Sequence, residues 1–146
     1  MIIAAATGCY TGHIPVAPGT FGTVVAIPLC YFLSVLSPLT GLAFIGAFCV
    51  LAVWISTEAE KILEQKDSGK IVIDEMAGFL VTLYLIPFTV VSLVGGFVLF
   101  RLMDISKPYP IKRLESTLPG GWGVVGDDFL AGVYANGSYS DATSGP

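Results

Sequence analysis

Residues 71–104 read IVIDEMAGFLVTLYLIPFTVVSLVGGFVLFRLMD, and the way this stretch folds decides the rest of the chain. It carries an acidic pair, Asp74 and Glu75, near its start, and Arg101 and Asp104 at its end. No charged residue lies between Glu75 and Arg101. Two foldings compete. A single kinked helix over residues 76–100 is long enough to cross a bilayer and puts the charged ends on opposite faces. A hairpin broken at Pro87 returns both ends to one face. Proline removes a backbone donor and clashes with the preceding turn, and Pro87 stands near the midpoint, which favours the hairpin.

The preceding sequence repeats the pattern. Residues 21–38 are continuously apolar and as a helix would run roughly 27 Å, about a hydrocarbon thickness. Ser37-Pro38-Leu39-Thr40-Gly41 signals a turn, and residues 42–56 return. An amphipathic stretch follows, with Ile62 and Leu63 among Glu60, Lys61, Glu64 and Lys66, and Asp67-Ser68-Gly69 marks its end. Before Glu58 there is no Asp, Glu, Lys or Arg, and apart from Asp141 the charges fall in residues 58–75 and 101–128. The expectation is an all-α integral membrane bundle of two apolar hairpins, 21–56 and 71–103, with one acidic face. All seven Lys and Arg lie on that face, which the positive-inside rule assigns to the cytoplasm.

Composition agrees. The chain has 146 residues, 54% apolar and only 12% charged, too much apolar surface for one small core to hide. A net charge of −4 offers no basic stripe, which argues against a nucleic-acid partner. Cys9, Cys30 and Cys49 are widely spaced and suit neither a disulfide framework nor a zinc site. The N-terminus lacks the basic region of a signal peptide. Residues 1–136 read as one domain, and residues 137–146, small and polar, as a disordered tail or artificial extension. Residues 11–23 and 107–126 are rich in Gly and Pro and read as loops, with Pro108 and Pro110 holding an extended segment. Asp127-Asp128 then opens a helical segment over 129–134.

Two acidic pairs beside apolar helices, Asp74-Glu75 and Asp127-Asp128, are costly at a membrane surface unless a cation lies between them. Magnesium suits such all-oxygen donors and is commonly held by one or two carboxylates plus substrate phosphate. The plainer alternative is a solvated helix start that favours acids. Arg101 and Asp104 share a helix face at i, i+3, and with Lys107 suit a phosphate monoester, or else simply snorkel. Gly19, Thr20, Gly22 and Thr23 precede an apolar helix, where they either offer donors to an anion or cap the helix. His13, the single histidine, reads as a loop residue. Cysteine-phosphatase, histidine-phosphatase, Asp-x-Asp, Walker A and G-x-S-x-G patterns are all absent.

Four ordered motifs remain: Pro18-Gly-Thr-x-Gly22-Thr23; Asp74-Glu75-x-x-Gly78; Phe100-Arg-x-x-Asp104-x-x-Lys107-Pro-x-Pro110-Ile111; and Gly120-Gly-x-Gly-x-x-x-Asp127-Asp128-x-x-Ala131-Gly132. Together they resemble the phosphatidylglycerophosphatase A family, over residues 7–136. The resemblance implies a magnesium-dependent phosphomonoesterase of the bacterial inner membrane, its site facing the cytoplasm. The expected reaction converts phosphatidylglycerophosphate to phosphatidylglycerol in phospholipid metabolism. On this reading Asp74, Glu75, Asp127 and Asp128 are candidate metal ligands, and Asp104 a further ligand or general base. Arg101 and Lys107 would neutralise phosphoryl oxygens, with donors added by Gly19, Thr20, Gly22 and Thr23. A phosphatase for another ester and a cation-binding transport protein are the alternatives. The chain departs from the family pattern after Asn136, where members continue into a further apolar segment.

Overall fold

The computed structural model describes residues 1–65, 70–107, 109 and 111–144. Among these the chain is all-α without strands: α1 (Ile2–Ala6), a 3-10 turn (Thr11–His13), α2 (Pro18–Ser34), α3 (Pro38–Leu63), α4 (Ile73–Thr82), α5 (Val90–Ser106), α6 (Ile111–Thr117) and α7 (Gly121–Thr143). The expected Asp67-Ser68-Gly69 stop and the prolines at 108 and 110 lie outside the described residues.

The stretch 71–104 is a hairpin. α4 ends at Thr82, and Thr89 opens α5 by accepting the Ser92 N–H at 3.1 Å. Ten residues make α4 only about 15 Å long, too short to cross a bilayer. Arg101 Nη1 lies 3.2 Å from Glu75 Oε1, so the two charged ends meet, and the kinked single span is excluded. α2 and α3 form the other hairpin. Pro38 takes the first position of α3, and the Ser37 hydroxyl caps it by accepting the Thr40 N–H at 3.4 Å. Tyr84 Oη donates to Pro38 O at 2.8 Å, which holds both hairpin turns at one end of the bundle.

α4 is the central element, packed among α2, α3, α5 and α7, and every residue in it except Glu75 is buried. Phe79 and Leu80 join Leu33, Phe100 and Ala131 in one core. Ile73 and Ala77 join Ala52, Ile55 and Val125 in another. Burying each large apolar side chain stabilises the bundle by roughly 1.5–3 kcal/mol. The closest crossing is α4 on α7. A Cβ at Gly78 would stand 2.5 Å from Asp128 O, and one at Gly132 would strike Gly78 O. Each acidic pair thus stands about one turn before a glycine that lets the two backbones touch.

Three expectations are corrected. The presumed loop 11–23 is a 3-10 turn followed by the start of α2, with Pro18 at its N-terminus. The presumed loop 107–126 contains α6 and the start of α7, whose Gly121 N–H donates to Thr57 Oγ1 at 3.1 Å. Asp127 and Asp128 therefore lie nearly two turns inside α7 rather than opening it. The presumed tail continues α7 to Thr143, held where Tyr139 Oη meets Ser92 Oγ at 3.1 Å.

Candidate active site

The N-termini of α2, α4 and α7 and the C-termini of α3 and α5 lie at the end opposite the two hairpin turns. The N-terminus of α4 favours the negative charge of the acidic pair in its first turn. Asp74 and Glu75 occupy the first turn of α4. The Glu75 carboxylate lies against Gly19 and Gly22 of α2; a Cβ at Gly19 would collide with both of its oxygens. Glycine in this stretch makes room for the carboxylate. Two of its donors turn back into the helix: the Thr20 N–H to Ala17 O at 3.0 Å, and the Thr23 hydroxyl to Thr20 O at 2.7 Å.

Arg101 bridges two acids, its Nη1 3.2 Å from Glu75 Oε1 and 2.8 Å from Asp104 Oδ2. Lys107, the left-handed residue closing α5 at φ 40°, places Nζ 2.9 Å from Asp127 Oδ2. Asp127 Oδ1 accepts the Asp128 N–H at 2.9 Å. Asp128 is buried and lies within electrostatic reach of Asp74, Asp104, Asp127 and Glu75. The structure thus brings all five carboxylates and both cations of the sequence reading to one end, with Gly19 and Gly22 beside them. His13 stands apart on the 3-10 turn, exposed, its ring centroid 5.7 Å from that of Tyr10.

Among the described residues five carboxylates and two cations meet here, and burial shows in the protonation of two of the acids. Burial pushes Glu75 up from 4.5 to about 7, against the opposing pull of Arg101. Asp128 is also raised, by burial first and then by its acidic neighbours. Glu75 Oε2 is buried without a hydrogen-bond partner. An orphan carboxylate oxygen among further carboxylates is a donor set suited to a hard cation such as magnesium. Among the described residues no three acidic, His or Cys side chains yet converge on one point at ligand distance. The case for a metal therefore rests on donor chemistry and charge.

The model of the phosphatidylglycerophosphatase A family matches residues 4–140, nearly the whole chain and all of these acids. The chain belongs to that family. Phosphatidylglycerophosphatase A enzymes are phosphomonoesterases, and an excess of carboxylates with two interleaved cations suits that chemistry. Phosphatidylglycerophosphatase A of Escherichia coli (strain K12) is 36% identical over 134 residues, covering 90% of this chain and 77% of the relative. The Haemophilus influenzae protein of the same name is 34% identical, covering 89% and 81%. A protein of Bacteroides thetaiotaomicron named putative phosphatidylinositol-3-phosphatase is 34% identical, covering 88% and 85%. No solved structure matches the chain at a significant level.

Sequence reasoning missed two contributors. Thr57 anchors the start of α7 through Gly121, and only the position of Thr57 after an apolar run hints at it. Asn136, used in the sequence reading only as a boundary, donates from Nδ2 to Thr82 O at 2.9 Å and Tyr84 O at 2.8 Å, satisfying carbonyls at the end of α4.

Proposed function

We propose that this chain hydrolyses phosphatidylglycerophosphate to phosphatidylglycerol and inorganic phosphate, at a bacterial inner membrane with the carboxylate end facing the cytoplasm. The observation that carries the reading is the meeting of Glu75, Arg101 and Asp104 from the two ends of one hairpin, beside the Lys107–Asp127 pair. Support for the membrane comes from α3, 26 residues long, which contains an 18-residue stretch of mean hydropathy 2.2. Outward-facing Phe32, Val50, Trp54, Val94 and Val98 on α2, α3 and α5 extend the apolar surface. On this reading α2, α3 and α5 enter the bilayer, and the short α4 holds its acids at the surface.

Arg101 and Lys107 exchange part of their present pairing with Asp104 and Asp127 for the phosphoryl oxygens. Asp104 orients the attacking water and takes its proton as the new P–O bond forms. The bond from phosphorus to the glycerol oxygen breaks, and that oxygen takes up a proton from water to leave as the hydroxyl of phosphatidylglycerol, while Asp104 returns its proton to solvent. Asp74, Glu75, Asp127 and Asp128 are the residues to hold magnesium, which supplies charge stabilisation to the phosphoryl group. Gly19, Thr20, Gly22 and Thr23 wall the site on the α2 side.

The test is phosphate release from phosphatidylglycerophosphate in detergent micelles, with magnesium and with excess chelator. Metal-dependent release supports the reading; its absence from a folded sample rejects it. The Bacteroides relative's name favours a second reading, a phosphatase for another phosphorylated lipid headgroup, which phosphate release from phosphatidylinositol 3-phosphate examines directly.

A further inference from the structure

Directly below Glu75 and Arg101 lies a groove of about 190 Å³ between α2, α4 and α5. Its lining is almost wholly apolar: Ile27 from α2, Phe79 from α4, and Leu93, Val94 and Phe97 from α5, with Thr20 and Thr23 on α2. Each wall continues a part of the charged end. Phe79 follows Glu75 by four residues, Arg101 follows Phe97 by four, and Thr23 follows Gly19 by four. On a helix that spacing stacks side chains on one face, one turn apart. The hydroxyl of Thr23 donates to Thr20 O at 2.7 Å, so it brings no unpaired donor to the groove. The outer rim, Val24 and Val94, is 53% and 58% exposed and apolar, a surface suited to lipid rather than water.

We propose that this groove receives one acyl chain of a lipid phosphate monoester whose phosphate sits at the Glu75–Arg101 end. The inference rests on the lipid-phosphatase reading and adds to it the part of the substrate that the carboxylates do not touch. Three arguments select an acyl chain over a protein segment. The groove holds no charge and, beyond two threonines, no polar side chain to recognise a peptide backbone. It opens along helices whose outward faces are themselves apolar, so a chain enters laterally from the bilayer. Its upper end is continuous with the end of the bundle where Arg101 and Lys107 stand among the carboxylates.

The test has a binding arm and a turnover arm. In the binding arm, phosphatidic acid with a photoreactive diazirine on one acyl chain is irradiated with the intact protein in micelles. Adducts are mapped by mass spectrometry. Labelling concentrated on Val24, Ile27, Leu93 and Val94, displaced by unlabelled phosphatidic acid but not by phosphatidylcholine, is the expected result. Labelling that avoids these residues overturns the groove. In the turnover arm, Val94→Trp and Val24→Trp fill the groove from its exposed rim. Each is expected to lower kcat/KM for dioleoyl phosphatidylglycerophosphate about tenfold more than for the dihexanoyl analogue, through KM rather than kcat. Val50→Trp, on the outward face of α3, gives the background. Equal losses on both chain lengths, or the same selectivity change in Val50→Trp, overturn the proposal. Adducts in the groove from a protein that releases no phosphate would reject the phosphatase reading and leave the groove standing.

Discussion

The two ends of the bundle solve the same packing problem with opposite chemistry. At the turn end the polar contacts join neutral partners. Asn136 closes the carbonyls of α4, Tyr84 reaches Pro38 O, and Ser37 and Thr89 cap the helices that leave the turns. At the opposite end, among the described residues, five acids stand around Arg101 and Lys107, and Glu75 Oε2 stays buried without a hydrogen bond. One end is built for stability alone. The other departs from local electrical balance, and such departures concentrate where a protein does its work.

The largest effect should come from the acidic end. Asp127→Asn keeps the shape of the side chain but removes the charge that Lys107 faces at 2.9 Å. Turnover is expected to fall about a thousandfold, with the helical circular dichroism unchanged. A variant that retains full phosphate release would remove Asp127 from the site. Next comes the crossing that joins the two acidic pairs. Gly132→Val would drive side-chain atoms into Gly78 O and should cost about 3 kcal/mol of stability, read as a lower melting temperature together with lost activity. The turn end supplies the contrast. Asn136→Leu leaves the Thr82 and Tyr84 carbonyls without their donor, at an expected cost of about 2 kcal/mol. Here kcat/KM measured well below the melting temperature should stay near that of the parent. A large loss of kcat/KM in a folded Asn136→Leu sample would mean that the two ends are not separable.

The smallest effect concerns pH. Because Glu75 is raised from 4.5 to about 7, the folded chain keeps a proton between those values that the unfolded chain has lost. Stability of the metal-free protein should therefore fall as pH rises from 4.5 through about 7, and remain lower above it. Asp128 shifts in the same direction. Melting temperatures taken in chelator across this range check the sign, and Glu75→Gln should flatten the slope.

The hairpins and the gathering of the acids were legible because both depend on long-range patterning. Apolar runs broken at Ser37-Pro38 and Pro87, with charges only at the far ends, leave few ways to fold. What composition misread were the glycine-rich segments. Gly19, Gly22 and Gly121 stand in stretches that look like loops, yet each lies where a side chain would collide with Glu75, Val72 or Val53 O. In these places glycine's low helix propensity is outweighed by the close approach it permits. The polar end of α7 misled for a related reason. There Tyr139 packs toward Gly95 and meets Ser92, contacts that leave no periodicity to read.

The enclosure of α4 has a dynamic consequence. With four helices around it and only Glu75 less than fully buried, it has no free face along which to open by itself. Its amides should exchange with deuterium only when the bundle as a whole comes apart, well after those of the short α6. The acidic pair it carries is in that sense a fixed electrode. Adjustment to an arriving phosphate then falls to the side chains that close over it from the end of α5, Arg101 and Lys107.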